Sequence, residues 1–162
     1  MRTLPFRLEL MSTGAPTCTC VHTPYGGAQY RDARALRERV LRRPLGLPLR
    51  EIDVRDDAEE ELFCAVDGEC VVACLQLKPL DSATMKLRQM AVEPRFQNSG
   101  VGSALVQFAE GWAREHGIGA IVLDARTAVL PFYEKLGYAR KGEPFESVGI
   151  PHQKMAKTLR AA

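Results

Sequence analysis

The sequence predicts an α+β protein with a central mixed, mostly antiparallel sheet and helices on both faces. Three stretches carry that prediction. Residues 61–80, "ELFCAVDGECVVACLQLKPL", are two β-rich runs around Asp67-Gly68, a strong hairpin signal. Between residues 101 and 116, Val101, Ala104, Leu105, Phe108 and Trp112 recur at helical spacing, and Gly117 closes the helix. Residues 119–125, "GAIVLDA", are nearly all apolar, as in a short strand buried on both faces.

The remaining elements follow in order. "TCTCVH", 17–22, alternates and predicts a first strand. From Gln29 to Arg43 the apolar positions Ala33, Leu36 and Val40 predict a helix, stopped by Pro44 and Pro48. Its arginines (31, 34, 37, 39, 42 and 43) read as a solvated face rather than an acidic-ligand surface. "TMKLRQMAVEP", 84–94, is a strand ended by Pro94. "AVLPFYEKLGY", 128–138, predicts a helix with Pro131 in its first turn and Gly137 at its C-cap. "GIPHQKMAKTL", 149–159, alternates weakly and predicts a last strand. No repeat or linker interrupts the chain, so residues 17–162 form one expected domain after a 1–16 extension expected to be disordered. Met11 is an alternative start.

Composition narrows the class. The 162 residues are 46% hydrophobic and 26% charged, within the range of globular proteins. A net charge of +2 gives no argument for nucleic acid or a membrane surface. No segment approaches the roughly 18 apolar residues of a membrane helix. Five cysteines, an odd number with no CxxC pair, fit neither a disulfide framework nor a zinc site, so no metal and a cytoplasmic location are expected. Cys64, Cys70 and Cys74 read as small core hydrophobes in strands.

The chemistry begins at "RFQNSGVGSAL", 95–105. Two glycines stand at a helix mouth, where backbone N–H groups and the helix dipole favour an anion. A P-loop needs GxxxxGK[ST], but Ser103 follows Gly102 and no lysine is present. A dinucleotide fold needs a third glycine, and Leu105 occupies that position. A plain tight turn before a helix remains open, as does the pattern Q-x-x-G-x-G over residues 97–102.

Here the chain resembles the GNAT superfamily of acyl-CoA-dependent acetyltransferases. "LRQMAVEPRFQNSGVGSALV" is similar to the family's cofactor strand, pyrophosphate loop and helix, and "IVLDARTAVLPFYEKLGY" to its next strand and signature helix. "GIPHQKM" and "VLRRPLGLP" resemble a bacterial subgroup of small members. The resemblance covers roughly residues 17–160. It implies a splayed cofactor-binding strand pair. It also implies that the backbone of Met90, Ala91 and Val92 pairs with the pantetheine arm of acetyl-CoA. The loop Gln97, Asn98, Ser99, Gly100, Val101, Gly102 and Ser103 would cradle the pyrophosphate. Phe132 is either core or a wall near the adenine.

Acetyl transfer to an amine moves two protons. An amine with a pKa of about 10.4 must lose one before attack, and the departing thiolate gains one. The resemblance assigns the second step to Tyr133. The base is less legible, because Arg88 and Gln89 stand where many members carry a glutamate near the splayed strand. His152 is a candidate, with packing as the alternative. Glu143 and Glu146 are either acceptor-pocket residues or solvated. The expected activity is acetyl-CoA-dependent N-acetylation of a primary amine on a small molecule or peptide. A transferase of another acyl group and a non-catalytic acyl-CoA-binding module are the competing readings. A homodimer is left open.

Overall fold

The computed structural model describes residues 18–160, and the 1–16 extension lies outside them. The strands are β1 (Thr19–Thr23), β2 (Glu61–Asp67), β3 (Cys70–Pro79), β4 (Thr84–Val92), β5 (Ala120–Arg126), β6 (Ala139–Ser147) and β7 (Ile150–Thr158). The α-helices are α1 (Ala28–Arg37), α2 (Glu51–Val54), α3 (Val101–Glu115) and α4 (Leu130–Lys135). The strands bond in the order β1-β2-β3-β4-β5-β7-β6. All described pairs are antiparallel except β4 with β5, so the sheet is mixed and mostly antiparallel, as predicted.

The chain divides into two compact units. The first runs to Leu77 and resumes over Gln89–Ala109; the second comprises Lys78–Arg88 and the chain from Glu110. In the first, the predicted hairpin forms with Gly68 at φ +61°, a conformation that costs glycine nothing. Tyr30, Ala33 and Leu36 of α1 pack on Leu62, Cys64, Val71, Cys74 and Ala91. Ala33 and Leu36, with the partly buried Val40 packed against the same cluster, are the apolar stripe that the helical spacing predicts, and Tyr30 extends it.

The arginine face is a correction. Arg37 and Arg42 are buried, not solvated. The α-helix ends at Arg37 and continues as a π-helix over Glu38–Arg42. Five residues apart would place the two side chains about 140° apart on an α-helix, whereas i→i+5 bonding stacks them on one side. Both then meet acids of the segment around α2. Arg37 pairs with Asp57 at 2.8 Å and Arg42 with Asp53 at 2.5 Å. Asp57 also accepts from Tyr30 Oη at 2.7 Å and Gln76 Nε2 at 2.9 Å. Charges taken out of water persist only when paired in this way.

Cys70 is a second correction, since it is exposed beside the hairpin turn while Cys18, Cys20, Cys64 and Cys74 are buried. Burial pushes the thiols of Cys20 and Cys64 up to about 11, and that of Cys74 higher still.

In the second unit β5 pairs with β4 over Thr84–Leu87 and with β7 along its whole length. β5 is not buried on both faces as predicted. Ile121, Leu123 and Ala125 are buried, and the alternate residues are only half-buried. The reason is a polar row on that second face, described below. β6 was not predicted, and all nine of its residues are exposed. It forms because β7 offers it a ladder, with Ala139 facing Ala156 and Ser147 facing Ile150.

Candidate active site

The first unit holds the expected coenzyme residues. In the middle of β4, Gln89 adopts φ +55°, a left-handed conformation rare for a residue other than glycine. Such a residue breaks the pleat and re-aims the strand beyond it. Met90 and Val92 are half-buried there and Ala91 is buried. Cys74 Sγ lies 3.9 Å from the Gln89 carbonyl and 3.8 Å from that of Ala33, which ties the bend to α1.

After Val92 the chain turns through a 3-10 segment, Pro94–Phe96. Gln97 folds its side chain back to donate to the Val92 carbonyl at 3.1 Å. Its amide therefore braces the strand end rather than facing outward. Asn98 at φ +61° and Gly100 at φ +88° make two left-handed steps, and the Ser99 hydroxyl is spent on the Phe96 carbonyl. A Cβ built on Gly100 would meet no heavy atom within 4 Å, so the space above it is open.

Helix α3 starts at Val101, and Ala104 N–H donates to Gly100 O at 3.0 Å. The N–H groups of Val101, Gly102 and Ser103 precede the first intrahelical bond, and no acidic residue stands in the first turn. These donors, with the dipole of a 15-residue helix behind them, suit a phosphate-like anion. Residues 90–92 and 97–103 are thus consecutive parts of one strand–turn–helix unit, joined by the Gln97–Val92 hydrogen bond.

The second unit holds Tyr133, Phe132 and His152. Tyr133 is buried in α4, edge-on to Phe132 at 4.9 Å and to Tyr138 at 5.7 Å. Burial pushes its phenol well above the usual tyrosine range, so the hydroxyl keeps its proton at neutral pH. Pro131 lies in the first turn of the helix and Gly137 follows its end at φ +95°, both as predicted. His152 has different neighbours. Its ring stacks on Phe145 at 5.7 Å, and Nδ1 lies 2.7 Å from Ile150 O. That bond places the proton on Nδ1 and leaves the Nε2 lone pair as the basic one.

Behind α4 lies a polar cluster that the sequence reading missed. Glu110 is 1% exposed, accepts from Tyr138 Oη at 3.2 Å and pairs with Lys157 at 2.9 Å. Lys157 Nζ also donates to Leu136 O at 2.6 Å, which caps α4. The available signal was a carboxylate at 110 among Val106, Ala109 and Ala113, all buried in α3. Among the described residues no group of His, Cys, Asp and Glu could hold a metal, and no helix is long and apolar enough to cross a membrane.

The comparison with known proteins decides the family. The Acetyltransferase (GNAT) family matches residues 29–138, which include the β4 bend, the glycine turn and α4. The chain belongs to the GNAT acetyltransferase family. The uncharacterized N-acetyltransferase YitI of Bacillus subtilis (strain 168) is 38% identical over 143 residues, 81% of this chain and 93% of that protein. Two solved structures share the GNAT fold. A candidate N-acetyltransferase from Lactobacillus plantarum superposes with a TM-score of 0.80 at 24% identity, over 88% of this chain and 99% of that one. A GNAT family acetyltransferase from Elizabethkingia anophelis with acetyl-CoA bound gives 0.70 at 20% identity, over 88% and 98%.

Proposed function

We propose that this GNAT acetyltransferase moves acetyl from acetyl-CoA directly to a primary amine within a ternary complex. The observation that carries the reading is the left-handed pair Asn98 and Gly100, which follows the bent strand β4 and leads straight into the first-turn N–H groups of α3, whose acceptors are not intrahelical. Acetyl-CoA presents a pyrophosphate, and the bound acetyl-CoA of the Elizabethkingia anophelis relative supports that choice. The N–H groups from Gly100 to Ser103 hold the pyrophosphate, and the backbone of Met90 to Val92 hydrogen-bonds the pantetheine arm as an added strand would.

In the reaction the amine nitrogen attacks the thioester carbonyl, the C–S bond breaks, and the thiolate leaves. Tyr133, kept protonated by burial, donates to the departing sulfur. The proton lost by the amine goes to His152 Nε2. Phe132 serves as an apolar wall for the coenzyme. The buried Cys64 and Cys74, neutral at pH 7, form no acyl intermediate.

An acceptor screen tests the reading. Thiol release from acetyl-CoA is followed across small amines and peptides, with mass spectrometry of the products. One N-acetylated product per free thiol is the expected result. Thioester hydrolysis alone, with every amine left unmodified, would contradict it.

A further inference from the structure

The second face of β5 carries an uncompensated row of charge. Asp124 faces Lys154 on β7, and Lys154 faces Lys141 on β6. Residues opposite one another share a face of the sheet, so the three form one row. Lys86 Nζ joins it at 2.8 Å from Asp124 Oδ2, while Oδ1 is buried and has no partner among the described residues. Three lysines therefore share this face with one carboxylate, which is already paired with Lys86. Neither Lys141 nor Lys154 has a side-chain ion-pair partner among the described residues. Like charges directly opposite on neighbouring strands are destabilising, and a counter-charge from outside would relieve them.

The backbone beside them is built to leave room. The β6–β7 register shifts between Lys141 and Phe145, with Gly142 at φ +68°. The bulged carbonyls of Lys141 and Gly142 accept from Gln153 Nε2 at 2.9 and 3.0 Å, and Gln153 is buried. The distortion is thus held from the opposite face of β7. It borders a cleft of about 390 Å³ lined by Asp124, Lys141, Gly142, Glu143, Phe145 and Lys154. That volume suits a small molecule rather than a folded partner.

We infer that this cleft selects the acyl acceptor, a small amine that carries a carboxylate or a phosphate. The anionic group sits on Lys141 and Lys154, and the half-exposed Phe145 ring covers the carbon chain. Glu143, at the same cleft, excludes a second anion and favours an amine at the other end. Lys141 and Lys154 are then specificity-determining residues. The inference rests on the amine acetylation proposed above.

Calorimetric titration of the full chain separates the two readings, because binding needs no acetyl transfer. The probes are phosphoethanolamine and 4-aminobutyrate against ethanolamine and cadaverine, so amines carrying a phosphate, a carboxylate, an uncharged hydroxyl and a second ammonium are each represented. At least one anionic amine should bind ten times more tightly than the other two classes and should be acetylated with the same preference. The variant K141Q/K154Q should lose at least tenfold in that affinity, and Lys154→Glu should shift the preference towards cadaverine. A CoA-induced melting shift in each variant shows that it has folded. Anionic amines that bind no better than ethanolamine, or bind equally well to the lysine variants, would overturn the inference. Acetylation of amines with the lysines irrelevant would overturn the cleft alone. Lysine-dependent binding of anionic amines that are never acetylated would remove the acceptor role and count against amine acetylation itself.

Discussion

Arg37 and Asp57 face each other across 2.8 Å with side chains that are each 1% exposed. The same guanidinium donates to Asp53 O at 2.7 Å, so one side chain ties the end of α1 to the segment around α2. Arg37→Met would leave the Asp57 carboxylate buried with Tyr30 and Gln76 as its remaining side-chain donors among the described residues. Removing one member of a buried pair costs about 3–5 kcal/mol, which urea unfolding should register in full. A loss below about 1 kcal/mol, the scale of an exposed pair, would mean that the site is hydrated in solution.

Asp53 links this region to pH. Burial raises its pKa, but hydrogen bonds from Arg50 and Arg42 outweigh that and hold it at about 2, against an ordinary 3.8. A depressed folded pKa gives stability that is complete above about pH 4 and is lost as pH falls towards 2. The shift corresponds to about 2 kcal/mol. Unfolding free energy measured between pH 5 and pH 2 should therefore decline, and Asp53→Asn should flatten part of that decline while lowering stability at pH 7. A wild-type profile without slope in this window would refute the assignment.

Much of this was legible in the sequence, for identifiable reasons. The hairpin around Asp67-Gly68, helix α3 and the glycine turn are local signals, with chemistry carried by residues adjacent in the chain. What escaped depends on partners distant in sequence. Arg37 and Arg42 follow the spacing of a solvated face until the π turn brings them onto Asp57 and Asp53. Strand β6 has no buried residue and so no hydrophobic period to read. Asp124 and Lys154 are 30 positions apart and become neighbours only through the β5–β7 register. Glu110 was visible as an acid within an apolar stripe, but its partner Lys157 was not.

The Tyr133 hydroxyl is proposed as the proton donor, so Tyr133→Phe removes that donor and little volume. General acid catalysis is worth about 10²- to 10⁴-fold, and kcat and kcat/KM should fall together by that order. CoA-induced stabilisation should persist, since the proposed coenzyme contacts are backbone groups. A variant within about twofold of wild type would leave Tyr133 a packing residue and make water or His152 the donor to examine.

The cysteines predict a labelling pattern and a kinetic one. Cys70 is exposed and the other four are buried, so an alkylating reagent should modify Cys70 alone in the native protein. Incubation with acetyl-CoA and no acceptor should leave the intact mass unchanged. A thioester-labile acetyl adduct formed at the rate of turnover would instead indicate a covalent, two-step reaction.

The turn from Gln97 to Ser103 and the first turn of α3 are proposed to hold the coenzyme's pyrophosphate. Titration calorimetry with acetyl-CoA tests it most directly, on the wild type, Gly102→Val and Gly100→Ala. Gly102 lies in the first turn of α3, where a side chain would hold the phosphates of the proposed complex off the backbone, and Gly100 needs its φ of +88°. One site per chain is expected in the wild type, with a loss of affinity of at least about 100-fold, or 2.7 kcal/mol, in Gly102→Val and a weakening in the same direction in Gly100→Ala. Circular dichroism should show both variants folded. Wild-type affinity in both folded variants would rule out this site and place the coenzyme elsewhere on the molecule.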